Sequence, residues 1–209
     1  PSSDMGKLYQ TSDGTTIGDE ITAIGTAVIN LSGIVIFVPE ANANGEASFG
    51  YVSSDGILVS DEANVDLAIS PINDAPVFLE TDYTFSIEEN SSPLVIVGQV
   101  FTSDVEGHTI MYSIASGNED GLFGISPFSG IILTANTDLD REIQSTYTLE
   151  IDASDDTSTV STTVTINVLD VNEAPSVIDR SESLDEDMNH TITLGGTDPE
   201  SNPLSFTIS

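Results

Sequence analysis

The 209-residue chain contains no Cys and no Trp, and only three of its residues are Lys or Arg. Without Cys it can form no disulfide, so a bound metal ion is a candidate for holding such a protein together. Its longest apolar stretch, residues 31–38 (LSGIVIFV), is interrupted by Ser32 and Gly33. That is far shorter than the ~20 residues of a membrane helix, so we expect no membrane insertion by this segment.

Positive charge is nearly absent, whereas Asp and Glu number 35, which gives a formal net charge of −32. A polyanion of this strength does not bind nucleic acid or an anionic membrane by ordinary electrostatics. The partner that the composition favours is a small cation, and carboxylate oxygens prefer calcium or magnesium.

Apolar residues are frequent enough to build a core despite this charge. Leu, Ile, Val and Phe together exceed a quarter of the chain, whereas disordered, highly charged chains usually have less than about 20 %. Ile, Val and Thr are abundant, and β-branched side chains favour strands. The composition therefore predicts an all-β protein with acidic surfaces or acidic sites.

A repeat organises the chain. Residues 73–76 (NDAP) recur as residues 172–175 (NEAP), and similar strands ending in acids precede both. Acidic motifs after each Pro also recur, at 88–90 and 185–187 and again at 104–106 and 198–200. We predict the back part of one repeat at 1–74, a complete repeat at 75–174 and the front of another at 175–209. The chain is expected to be a piece of a longer protein.

The complete repeat carries alternating apolar and polar residues in short stretches separated by turn signals. We predict seven strands, at 83–87, 94–101, 109–114, 123–125, 131–133, 147–151 and 160–169. Seven short strands in about 100 residues are typical of an immunoglobulin-like β-sandwich.

Some of the acids fall where the loops, strand ends and linker of such a sandwich can meet at one pole. Their mutual repulsion there would require a cation, and calcium accepts six to eight oxygens in loose geometry. These acids are Glu89, Asp140, Glu142, Asp170, Glu173, Asp198 and Glu200, and the neutral amide Asn172 lies among them.

The complete repeat resembles a cadherin domain. The resemblance rests on motifs in their family order, among them 87–90 (IEEN), 139–142 (LDRE), 153–155 (ASD) and 169–172 (LDVN). The flanking segments resemble the cadherin-like tandem repeats of large bacterial surface proteins. The resemblance implies calcium between successive repeats, an extracellular location and tandem β-sandwiches. Partners beyond calcium would be other adhesin chains or surface glycans.

The resemblance also assigns ligands. Between the second and third repeats it implies the eight residues given above. Between the first and second repeats it implies Asn73, Asp74, Asp104, Glu106 and Asp155. Pro71 stands in the first linker where the second has Asp170, so we expect fewer ions at the first junction.

Catalysis is not expected, because the paired carboxylates coincide with repeat boundaries and no hydrolase or phosphate-loop motif is present. His108 and His190 lie in no zinc-type spacing and are interpreted as surface residues, although the main-chain carbonyl of His108 could be a ligand. Arg141 has two interpretations, a partner that positions nearby carboxylates or a solvent-exposed strand-end residue.

Three functions remain open. The first is a calcium-stiffened spacer or adhesion module. The second is a carbohydrate-binding or accessory module of a secreted multidomain protein, which the lack of Trp and the presence of only five Tyr disfavour. The third is an inert scaffold whose acids only keep it in solution.

Overall fold

A computed structural model of the chain describes residues 5–208. Those residues form strands, turns and loops and contain no helix, so none of them belongs to a helix that could span a membrane. The chain divides into two units between Asp74 and Ala75. The all-β prediction is confirmed.

The first unit contains two antiparallel strand pairs. Strand β1 (Gly6–Gln10) pairs with β2 (Val35–Pro39), and β3 (Gly45–Tyr51) pairs with β4 (Ala63–Ile69). The long connection from β1 to β2 is attached through the buried side chain of Gln10. Its amide donates to the carbonyl of Ala27 at 2.8 Å and accepts from the N–H of Ile29 at 3.0 Å. A buried amide that is satisfied in this way orders a loop that has few apolar contacts.

The second unit contains eleven strands. They are β5 (Val77–Phe78), β6 (Asp82–Glu88), β7 (Ile96–Gln99), β8 (Thr102–Ser103), β9 (Met111–Ser116), β10 (Phe123–Ile125), β11 (Ile131–Thr134), β12 (Thr146–Ser154), β13 (Thr159–Leu169), β14 (Ser176–Val177) and β15 (Gly196–Thr197). All seven predicted strands are present, as β6, β7 and β9 to β13. Strand β7 is shorter than predicted, and Leu94 before it has a φ of 67°, which is not an extended conformation. The short β5–β8 pair was not predicted.

Two sheets share one core in this unit. One has the order β6-β13-β12-β9 and the other β10-β11-β7. Strands β12 and β13 alternate between buried and exposed residues, as expected for strands with one face on a core. The buried core draws on both sheets: Tyr83, Ile87, Val97, Val100, Tyr112, Leu122, Phe123, Ile132, Leu139, Tyr147, Leu149, Ile151, Ala153, Val164, Ile166 and Val168. The second unit is therefore a β-sandwich.

One pairing brings distant acids to the same edge. Strand β6 runs parallel to β13, and Glu88 lies opposite Leu169 at the end of both strands. The residues that follow, Glu89 and Asp170, consequently leave the sheet side by side. The fully buried Leu139 anchors a loop at the same edge, and its carbonyl accepts the N–H of Asn90 at 3.0 Å.

Replacing a core residue of this sandwich tests its burial. Ile151 is fully buried and Ile143 is 81 % exposed. We expect Ile151→Ala to lower the free energy of unfolding of the second unit by about 2–5 kcal/mol, because it removes buried methylene groups and leaves a cavity. The matched Ile143→Ala should change it by less than about 0.5 kcal/mol. Urea unfolding at one fixed ion concentration measures both, and equal losses would contradict the assigned core.

Candidate metal centre

A buried glutamate connects two segments that are far apart in sequence. Glu89 follows β6 and is only 2 % exposed. Its Oε2 accepts the backbone N–H of Arg141 at 2.7 Å, and its Oε1 accepts the backbone N–H of Val171 at 2.6 Å. Its own N–H donates to the carbonyl of Leu169 at 3.0 Å. One carboxylate therefore joins the end of β6, the loop after Leu139 and the segment after β13.

Three further carboxylates lie around Glu89. Oxygens of Glu89, Glu142, Glu173 and Glu200 all lie within 4.8 Å of one another. Two ligands on opposite sides of a calcium ion, each at about 2.4 Å, are about 4.8 Å apart. Four oxygens this close together can therefore bind one such ion jointly.

Two of the four carboxylates have an oxygen that the protein does not satisfy. The N–H of Glu173 donates to Oε1 of Glu200 at 2.8 Å, and the amide of Asn90 donates to Oε1 of Glu173. The other oxygens, Oε2 of Glu173 and Oε2 of Glu200, are buried without a hydrogen-bond partner. Buried oxygens of this kind are costly unless a cation or an equivalent donor binds them. This donor set, hard oxygens only, fits calcium.

The pKa values of the cluster reflect competition between burial and hydrogen bonding. Burial favours the neutral form of Glu89, but the two backbone N–H donors outweigh it and hold its pKa below 4.5. Burial raises the pKa of Glu142, and the charges of Glu89 and Asp170 raise it further. The adjacent carboxyl group of Glu200 raises the pKa of Glu173, and the same contact lowers the pKa of Glu200. The cluster thus carries negative charge that is poorly compensated.

Of the remaining predicted ligands of this junction, Asp140 bonds within its own loop. Oδ1 of Asp140 accepts the N–H of Ile143 at 2.9 Å, which caps a turn.

Two of these residues engage the loop at 198–202. Oδ1 of Asp198 accepts the N–H of Asn202 at 2.9 Å, and Oδ1 of Asn172 accepts the side-chain amide of Asn202 at 3.3 Å. Asp170 pairs with Arg141, whose Nη1 lies 3.2 Å from Asp170 Oδ1. Their ligand roles stay predictions.

A second group forms where β8 leads toward β9. Asp104, Glu106 and His108 each offer an atom within 4.8 Å of the others. The Asp104 side chain is 2 % exposed, its Oδ1 accepts the His108 N–H at 2.8 Å, and its Oδ2 is buried without a partner. Asp155, also predicted, is buried and its Oδ1 caps a turn through the N–H groups of Thr157 and Ser158.

The two other residues predicted for the first junction, Asn73 and Asp74, end the first unit. They are exposed, and the Asn73 amide donates to the carbonyl of Asp74 at 3.1 Å. Their ligand roles also stay predictions.

Two participants were not assigned from the sequence. The side-chain amide of Asn90 orients Glu173. The sequence identified Asn90 only as part of the motif at 87–90 and gave it no role at the site. The imidazole of His108 is 46 % exposed, as expected for a surface residue, yet its Nδ1 lies 3.5 Å from Asp104 Oδ1. The available signal was its position four residues after Asp104, and repeat 3 has Asn202 in the corresponding place after Asp198.

Comparison with known proteins detects cadherin-type domains in the chain. Residues 83–169 match the family model of the Cadherin domain, and residues 11–70 match that of a Cadherin-like domain. Protocadherin Fat 1 of Homo sapiens is 34 % identical over 157 residues, which cover 72 % of this chain and 3 % of that protein. Cadherin-22 of Rattus norvegicus is 37 % identical over 130 residues, which cover 56 % of this chain and 16 % of that protein. The chain thus spans a small part of these curated relatives.

Solved structures show the same fold. The Protocadherin GammaB4 extracellular domain superimposes with a TM-score of 0.56 at 22 % identity, covering 87 % of this chain and 28 % of that one. The extracellular cadherin domains 1–5 of Protocadherin Gamma B2 give 0.56 at 19 % identity, covering 85 % and 34 %. The prediction of cadherin-like β-sandwiches is confirmed. The relatives given above are animal proteins, and the predicted bacterial source of the flanking repeats stays a prediction.

Neutralising one glutamate of the cluster should stabilise the protein when no divalent ion is present. Because the pKa of Glu142 is raised in the folded state, its ionised form destabilises that state at pH 7, and the effect disappears as the pH falls through its folded-state pKa toward 4.5. We expect Glu142→Gln in chelator to melt higher than the unmodified chain at pH 7, with the difference shrinking toward pH 4.5.

Thermal unfolding across this pH range measures the effect, with Glu80→Gln as the control because Glu80 is exposed and outside the cluster. A lower melting temperature for Glu142→Gln than for the unmodified chain at pH 7 would contradict the assigned repulsion.

Proposed function

We propose that this chain is a calcium-binding segment of cadherin-type repeats from an extracellular surface protein. In this proposal the repeats are spacers or adhesion modules that calcium stiffens. The proposed binding site is the cluster of Glu89, Glu142, Glu173 and Glu200, and the adjacent Asp140, Asp170, Asn172 and Asp198 complete its coordination. Asp104, Glu106 and Asp155 are proposed as ligands of a second site.

The observation that carries the proposal is the origin of the four clustered carboxylates. Glu89 and Glu142 belong to the sandwich, Glu173 to the segment that leaves β13, and Glu200 to the loop after β15. An ion held by all four would connect three parts of the chain that only short strands and loops otherwise join. Such a connection restrains the segment after the sandwich more than any single hydrogen bond does.

Different residues have different roles at the proposed calcium site. Bound calcium would supply two positive charges that offset the repulsion within the cluster. Glu89 holds the two backbone segments at the correct spacing through the N–H groups of Arg141 and Val171. Asn90 fixes one oxygen of Glu173, so that the other points where no protein donor is present.

The relatives support an extracellular location and an adhesive role in this proposal. Cadherin ectodomains are extracellular, and cadherin repeats in general act by binding calcium and other cadherin chains rather than by catalysis. The partner of this chain is therefore proposed to be another surface protein of the same type. Glycan binding and a bacterial source remain predictions.

Calcium should stabilise the second unit through Glu200. We expect the melting temperature of the full chain to rise with calcium, because an ion that binds only the folded state adds about 2.7 kcal/mol at a concentration 100 times its dissociation constant. Glu200→Gln keeps an oxygen for the Glu173 N–H but removes the charge, so its rise should be much smaller. Thermal unfolding with increasing calcium measures this.

Glu186→Gln is the matched control, because Glu186 is an exposed acid of the same segment and lies outside the cluster. Amide hydrogen exchange on the same samples tests the stiffening, and exchange at Val171 and Glu173 should slow when calcium is added. Magnesium, which requires tighter octahedral geometry, should have the smaller effect. No change with millimolar calcium in either measurement would refute the proposal.

A further inference from the structure

The acidic cluster has one cationic side chain at its edge. Lys and Arg number three in the chain, against 35 acids. Arg141 Nη1 lies 3.2 Å from Oδ1 of Asp170 and 3.8 Å from Oε1 of Glu142. The other two cations pair elsewhere, Lys7 with Glu20 at 3.6 Å and Arg180 with Glu182 at 3.3 Å. A guanidinium therefore stands among the carboxylates that the proposed ion would need.

The backbone and the side chain of Arg141 contact different groups. Its N–H donates to the buried carboxylate of Glu89 and helps to build the cluster. Its side chain is 43 % exposed and is free of the sandwich core. Replacing the side chain therefore leaves the hydrogen bond to Glu89 in place and changes only the local charge and the contacts with Asp170 and Glu142.

This side chain and a divalent ion need the same carboxylates. While the guanidinium donates to Oδ1 of Asp170, that oxygen is already engaged by a cationic group. The guanidinium charge also lowers the negative potential that attracts a cation. When the binding-competent arrangement is only partly populated, the apparent affinity falls in proportion to its population.

We propose that the Arg141 side chain is a tethered counter-ion that occupies Asp170 in the ion-free protein and is displaced when a divalent cation binds. This inference rests on the proposed calcium site. Arg141 then determines the calcium concentration at which the segment after β13 becomes ordered. Lys and Arg are scarce in this acidic chain. Arg141 therefore has a strong effect on the local potential, because no other cation in residues 5–208 has a salt bridge to the cluster.

The opposite role makes a prediction of opposite sign. If Arg141 positioned Asp170 for coordination, its removal would weaken calcium binding. If Arg141 competes, its removal strengthens binding and at the same time destabilises the ion-free protein. The sign of the change in affinity therefore distinguishes the two roles.

The experiment compares Arg141→Gln with Arg180→Gln in the full chain. Each variant removes one positive charge, so the difference between them isolates the local effect from the change in net charge. We expect isothermal titration at low ionic strength to show calcium binding to Arg141→Gln about three- to tenfold more tightly than to Arg180→Gln. Arg141→Lys keeps the charge but not the planar donor geometry, and its affinity should stay close to that of the unmodified chain.

A second measurement follows the ion-free state. In chelator, Arg141→Gln should melt below Arg180→Gln, because the repulsion around Asp170 and Glu142 is no longer offset there. Saturating calcium should remove or reverse that difference. An affinity of Arg141→Gln equal to or below that of Arg180→Gln would overturn the inference and leave the calcium site intact. Absence of calcium binding to the unmodified chain would instead refute the proposed function itself.

Discussion

The two hydrogen bonds to the buried carboxylate of Glu89 are the constraint on which the rest of the site depends. A glutamate that is 2 % exposed is stable only if its charge is compensated, and here backbone N–H groups of Arg141 and Val171 do so. Those two donors belong to different segments. Satisfying one buried charge therefore sets the distance between the loop after Leu139 and the segment after β13, and this distance brings Glu142 and Glu173 toward each other.

The sandwich brings the carboxylates together, but the protein compensates only part of their negative charge. The parallel pairing of β6 with β13 ends both strands at the same edge, which a purely antiparallel sheet would not do for these two strands. Burial raises the pKa of Glu142, the carboxyl group of Glu200 raises that of Glu173, and the charge of Glu89 raises both further. Oε2 of Glu173 and Oε2 of Glu200 are also buried without a hydrogen-bond partner. A divalent cation would offset both features at once, whereas Arg141 has a salt bridge to Glu142 alone among the four glutamates.

The sequence was sufficient to predict the all-β class and to name the four glutamates that the structure brings together. Hydrophobic alternation identified the strands because it reports directly which face is buried. The four clustered glutamates came from motif positions in a recognised family pattern together with the expected convergence of loops at one pole.

Side-chain direction was not predictable in the same way. Asp140 and Asp198 cap local turns, since a short carboxylate bonds readily to N–H groups a few residues away, and spacing alone does not show this. The pairing of Asp170 with Arg141 and the role of Asn90 depend on rotamers and on contacts across 29 and 83 residues. Such contacts become visible only when the strands have been placed in space.

The most direct test of the central claim is a crystal structure of the full chain grown with saturating calcium. The account predicts an ion bonded to oxygens of Glu89, Glu142, Glu173 and Glu200 at about 2.3–2.6 Å, with the Arg141 side chain moved away from Asp170. Electron density that shows no ion at this position, with the four carboxylates arranged as they are here, would contradict it.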